Sequence, residues 1–250
     1  LVRDLVPPDL PWVSVYWVFS ALVLLMVLVL LFVRFPRVVR KEEEKAGSWA
    51  VTKALFRKRL AGLYFLGIFA YVGLEQGTAN WISQFLLTYH SYDPHTVGAR
   101  TVSWFWGLMT IGCLLGFALL KILDSRRVLV GFSAAAAVFL GLALFGPGPV
   151  ALLMFPLVGF AASVMWSIIF SLALNSLDRH HGAFSGILCT GIIGGAVVPL
   201  AVGRLGDLLG LRLGMVLLYV ALGYVLSIGF WAKPLIANAT VARRNRSGSS

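Results

Sequence analysis

Glu75, Gln76, Asn80 and Trp81 stand together inside an apolar stretch that runs from Leu60 to Leu87. An ionisable side chain at bilayer depth costs about 2.5–3.5 kcal/mol on insertion scales, so it marks a polar pathway or pocket sooner than a plain anchor. A carboxyl group at Glu75 can exchange a proton or accept a ligand hydroxyl. The other reading is a neutral acid hydrogen-bonded to a neighbouring helix near Tyr71. Primary amides both donate and accept, which suits a polyhydroxylated solute such as a sugar. Gln76 and Asn80 are four residues apart and share a helix face that Ser83 and Gln84 continue. Their alternative role is interhelical bonding, worth about 0.6 kcal/mol per contact. Glu75 lies about 100° around a helix from Gln76. An unbroken helix should not aim both at one ligand, and Gly73 and Gly77 are where it could bend or unwind.

Further candidates lie on other apolar stretches. Trp81 is placed deeply enough to border a pocket, and Trp166 could stack on the apolar face of a sugar. Thr110 adds a hydroxyl to the third stretch, where Trp104 and Trp106 fit an interfacial aromatic belt at least as well as a site. Ser163, Ser167, Ser171 and Asn175 recur every four residues, a spacing that favours close helix packing over binding. Gly112 and Gly116, like Gly191 and Gly195, read as packing pairs, and Pro199 as a kink.

The elements that must position these residues are membrane spans. The chain is 59% hydrophobic and only 12% charged. Stretches near Trp12–Val33, Leu60–Leu87, Val102–Leu120, Val128–Phe145, Val150–Leu174, Ala183–Val202 and Leu213–Trp231 reach the ~20 residues that a bilayer requires. Each must be helical to satisfy its own backbone in hydrocarbon. Seventeen Lys and Arg residues fall on one side, in the 34–59 linker, the 121–127 and 179 connections and the tail. The other side holds four, Arg3, Arg100, Arg204 and Arg212. The positive-inside rule puts the first side in the cytoplasm and the N-terminus outside, with the plasma (inner) membrane as the expected location. The net charge of +11 is therefore a topology signal and not a nucleic-acid footprint.

Four regions follow: residues 1–33 with the first span, a basic, solvated cytoplasmic linker at 34–59, a six-span block at 60–233, and a cytoplasmic tail at 234–250. The chain begins at Leu1 with no basic signal-peptide region, and a partial sequence is the plain expectation. Cys113 and Cys189 both sit in apolar spans as small packing residues. The first, fourth and seventh spans are almost wholly apolar and should face lipid, whereas the other four carry polar groups and should line a cavity.

This alternation and several strings resemble the C-terminal half of a Major Facilitator Superfamily transporter, in its fucose/glucose permease-like branch. The strings are Tyr71-Val72-Gly73-Leu74-Glu75, Trp106-Gly107-Leu108-Met109-Thr110-Ile111-Gly112, and Gly191 to Pro199 followed by Gly203-Arg204-Leu205-Gly206-Asp207. The resemblance implies an all-α integral membrane protein of seven transmembrane helices, helix 6 plus the C-terminal six-helix bundle. It implies transport of a small polar solute, a sugar, by alternating access against an N-terminal half, with proton coupling. In that branch the coupling acids belong typically to the N-terminal half. Lys121 to Arg127 is similar to the superfamily's acidic–basic loop. One departure is Gly112-Cys113, where relatives commonly carry an arginine after the glycine.

Rival classes fare worse. A seven-helix receptor shares the span count, but Asp178-Arg179-His180 follows the fifth span, and Lys233 lies beyond the last one, where it could not hold retinal. No cofactor or metal is expected, because His90, His95, His180 and His181 lie in loops on opposite sides. A nucleotide-binding glycine loop with its lysine is missing, and an enzyme would need acids or histidines clustered at one face.

Overall fold

The computed structural model describes residues 13–33 and 49–235. Residues 1–12, the linker from 34 to 48 and the tail from 236 onward lie outside the described residues, so the readings placed on them stay as expectations. Among the described residues there is no strand, and seven helical segments are long and apolar enough to cross a bilayer. The first, α1 (Val13–Phe32), is a unit by itself: 20 residues, apolar but for Ser14 and Ser20, about 30 Å of helix.

The second unit holds α2 (Trp49–Phe56), α3 (Arg59–His90), α4 (Ala99–Leu120), α5 (Ser125–Phe145), α6 (Gly148–Ala162), α7 (Met165–Leu174), α8 (His181–Thr190), α9 (Gly194–Leu209), α10 (Leu211–Val216) and α11 (Leu218–Trp231). Its hub is α3, whose Tyr64, Ile68, Leu74, Ile82, Phe85 and Leu86 are fully buried. Around α3 pack α9, α11, α7, α6 and α8, while α6 lies between α4 and α5. Half-buried tyrosines find carbonyls on neighbouring helices: Tyr224 donates to the Leu63 oxygen at 2.9 Å and Tyr219 to that of Ala137 at 2.9 Å.

Lipid tails are as apolar as leucine, so helix pairing here depends on close approach. Both glycine pairs serve it. A Cβ on Gly191 would lie 3.0 Å from the Phe65 oxygen of α3, and one on Gly195 3.0 Å from Gln76 Cγ. A Cβ on Gly112 would lie 2.8 Å from the Phe160 oxygen of α6, and one on Gly116 2.0 Å from Val164 Cγ1.

Several expectations need correction. Gly73 and Gly77 do not unwind α3, which stays helical over all 32 residues. They seat Val198 and Leu218 against the helix instead. At about 48 Å, α3 exceeds the ~30 Å of hydrocarbon, so its ends project or it tilts. The sixth span also carries a 3-10 turn at Gly191–Ile193, where the chain crosses α3 on its glycines. Pro199 itself sits inside α9. The fifth span breaks at Ser163–Val164, between α6 and α7, in keeping with the freedom its sequence leaves it to kink. The end of the linker is not simply solvated, because α2 packs on α8 and buries Leu55. Burial does not follow the alternation of lining and lipid-facing spans either. Among the six, α4 is the least buried and α6–α7 the most, because a face that lines a chamber is as open as one that meets lipid.

Between α3 and α4 a wide turn, Pro94–Gly98, starts on Asp93, which accepts the Thr96 hydroxyl at 2.6 Å and the His95 amide at 3.1 Å. These bonds, the Thr96 hydroxyl foremost, hold its carboxyl below the usual value of 3.8. A depressed carboxyl stabilises the fold above its unfolded pKa and loses that contribution as pH falls through the folded one. Exchange of the His95 amide is therefore expected to be slow at neutral pH and to lose its protection below about pH 4, and Asp93→Asn should blunt that acid transition.

Candidate functional site

On α3 the expected neighbour Tyr71 and the amide of Gln76, which was expected to point away, both reach Glu75. The Tyr71 hydroxyl, one turn earlier, donates to Glu75 Oε2, and the Gln76 amide bends back to donate to Glu75 Oε1 at 3.1 Å. The two polar directions of the unbroken helix thus meet at one carboxyl group, through the length of the glutamine side chain. Tyr71 is buried, and Glu75 and Gln76 are half-buried. The Tyr71 ring is tilted against Trp166 of α7 at 6.1 Å between centroids, and Trp166 stacks on Phe170 at 6.0 Å and 17°. Four side chains from two helices therefore form one connected group: Gln76, Glu75, Tyr71 and Trp166. The Cys113 thiol of α4 donates to the Ser163 oxygen at 3.3 Å.

Trp166 also borders a cavity of 920 Å³ that extends along α7 past Ser167, Ser171 and Asn175 to Asp178 and His181. The packing role expected of the serine ladder holds only at Ser163, which is buried and donates to the Phe160 oxygen at 2.7 Å. The break between α6 and α7 takes Ser167 and Ser171 off that interface and leaves them exposed on the cavity. In a chain with Cys113 and Cys189 replaced by serine, cysteine at 167 or 171 should react with a water-soluble maleimide, whereas cysteine at 163 should stay at least about tenfold slower. Gel-shift labelling reads the difference.

The remaining candidates fall elsewhere. Asn80 is exposed one turn from Gln76, in a polar row continued by Gln84 and Thr88, which bond to each other at 3.3 Å. Thr110 is exposed on α4, its hydroxyl turned back to the Trp106 oxygen at 3.0 Å. Trp81 stands apart from the Glu75 group. It is half-buried against α9, where its indole N–H donates to the Pro199 oxygen at 3.1 Å and a Cβ on Gly203 would lie 2.7 Å from its ring. Trp104 and Trp106 are exposed, and so are Cys113 and Cys189, which do not fill the interior as expected. Tyr71 stands beside Glu75 as its place in the sequence suggests, although the bond runs within α3 and not to a neighbouring helix. Its spacing of four from Glu75 was the available signal, but nothing in the sequence showed Trp166 on its other side.

Residues 5–192 match the sequence profile of the Major Facilitator Superfamily. The chain belongs to the Major Facilitator Superfamily. Among curated superfamily relatives, the glucose/galactose transporter of Brucella abortus biovar 1 (strain 9-941) is 32% identical over 195 residues, covering 76% of this chain and 46% of that protein. The L-fucose-proton symporter of Escherichia coli (strain K12) is 27% identical over 202 residues, covering 78% of this chain and 45% of that protein. The chain spans about half the length of the curated relatives it matches. In fold it is similar to the crystal structure of the superfamily transporter FucP in the outward conformation, with a TM-score of 0.76 and 21% identity over 93% of this chain and 59% of that one. Such coverage fits a superfamily half-transporter with one further helix.

Proposed function

We propose that this chain is the C-terminal half of a secondary transporter that moves a sugar across the plasma (inner) membrane with a proton. The observation that carries the reading is the connected group of Gln76, Glu75, Tyr71 and Trp166 at the end of an open, serine-lined cavity. Amides at Gln76 and Asn80 meet sugar hydroxyls, Trp166 takes the apolar face of the ring, and Glu75 is the titratable group. Trp81 and Thr110 lie outside this group, each with its donor engaged on a backbone oxygen. The Lys and Arg asymmetry favours a cytoplasmic C-terminus and an external N-terminus. The names of two relatives, a glucose/galactose transporter and an L-fucose-proton symporter, support the solute and the coupling ion.

Alternating access requires one half to rock against another. The exposed polar row of α3 and the open face of α4, with Thr110 and Cys113, are the surfaces that would meet the N-terminal half. Proteoliposomes holding this chain together with a six-helix N-terminal half are expected to take up labelled glucose, galactose or fucose, and those holding either half alone are not. In the active pair, Gln76→Ala should raise KM by about tenfold, the ~1.4 kcal/mol typical of a lost buried polar contact. Binding of these sugars without accumulation would favour a receptor instead.

A further inference from the structure

A second cavity, of 540 Å³, opens between the first turns of α5 and the last turn of α11, lined by Asp124, Arg126, Arg127, Val130, Gly131 and Phe230. It shares no residue with the Glu75 group, and its chemistry is different. Two arginines and one aspartate line it together with Val130, Phe230 and two glycines. Asp124 is already engaged: its carboxylate accepts the Arg126 backbone N–H at 2.9 Å, capping α5, and lies 3.5 Å from Arg126 Nε. Arg126 gives Nη1 to the Ala232 oxygen at 3.3 Å, while its Nε is buried without a hydrogen bond. Arg127 is exposed and makes no side-chain hydrogen bond or ion pair among the described residues. The rim thus carries an excess of one positive charge and donors that lack an acceptor.

The position relative to the bilayer supplies the rest. At 21 residues, α5 is about 32 Å long and only just spans the hydrocarbon, so Arg126 and Arg127 in its first turn stand at headgroup level. Val130 and Gly131 lie one turn deeper, where acyl chains begin. The two helices touch along the floor, where a Cβ on Gly229 would lie 2.3 Å from Val130 Cγ2, and Phe230 remains exposed beside them. A guanidinium pairs readily with phosphate, and basic pockets between helices on the cytoplasmic side suit anionic headgroups.

We propose that this cavity binds one anionic phospholipid of the cytoplasmic leaflet, its phosphate on Arg127 and Arg126 and an acyl chain along Val130, Gly131 and Phe230. Native mass spectrometry of the 250-residue chain in detergent, with phosphatidylglycerol, phosphatidylcholine or glycerol phosphate added, tests it. The chain should retain one phosphatidylglycerol in preference to phosphatidylcholine. Arg127→Ala should weaken that retention by about fivefold, the effect of one basic residue at an anionic surface. Gly131→Leu leaves the charge intact, and a Cβ at this position meets nothing within 4 Å. It should fold normally and displace the lipid by filling the groove. Lys121→Ala, which removes a cation from the same end of the bundle but outside the cavity, should change nothing. Equal loss with Lys121→Ala would mean diffuse attraction and overturn the site. So would unchanged binding in Gly131→Leu, or glycerol phosphate competing as well as the lipid, which would identify a soluble phosphate as the ligand.

Discussion

Replacing Glu75 with glutamine is expected to uncouple sugar uptake from the proton gradient while leaving the site's shape intact. Tyr71 can still donate to the new side-chain oxygen, and Gln76 needs only to turn its amide so that its oxygen faces the new nitrogen. What disappears is the ability to gain and lose a proton. One pH unit is worth about 1.4 kcal/mol per proton, so a one-proton symporter under that gradient sustains up to about tenfold accumulation. In Glu75→Gln the inside-to-outside ratio should fall to about one, with sugar exchange retained and the rate flat across pH. Uptake by paired halves in proteoliposomes, with and without an imposed pH step, measures it. Lower affinity with the pH profile intact would assign Glu75 to a sugar hydroxyl; an unchanged rate and profile would make it structural. Tyr71→Phe removes the hydroxyl but keeps the ring on Trp166, so it should shift the pH profile without abolishing binding.

Adding one methyl group at Gly194 should cost more stability than most substitutions on the surface of the bundle. A Cβ there would lie 2.1 Å from the Phe69 oxygen and 2.7 Å from its carbonyl carbon, both backbone atoms of α3. No rotamer change relieves such a contact, so α9 must move off the hub helix. Overpacking of this kind costs about 1–3 kcal/mol and can exceed it. The same substitution at Gly223 meets nothing within 4 Å in α11 and should stabilise by roughly 0.5–1 kcal/mol through helix propensity. Denaturation of the two variants in detergent should therefore shift in opposite directions. Equal shifts would show that the α3–α9 contact does not hold the bundle together.

The fold was largely legible in the sequence because the bilayer imposes a coarse rule: a run of about twenty apolar residues must be helical and must cross. That rule located all the described spans, and the Tyr71–Glu75 and Gly191–Pro199 strings pointed to the family before any coordinates did. Periodicity within a single helix also identified Glu75 and Gln76 as the centre of interest, since an acid and an amide inside hydrocarbon have few bland uses.

Where the helices break and which faces meet was decided by tertiary packing. The serine ladder has perfect spacing on paper, but a two-residue interruption at Ser163–Val164 divides it into a buried contact with Gly112 and Cys113 of α4 and an exposed cavity wall. Gly73 and Gly77 are equally fit, as residues, to bend a helix or to admit a neighbour, and only the presence of Val198 and Leu218 selects the second use. Trp81 could have faced a solute, yet the Pro199 carbonyl lay within reach of its indole N–H. A sequence pattern states the direction of a side chain from its own axis. Partners across an interface depend on where other axes run, and that is set by backbone contacts between distant glycines, which no local spacing encodes.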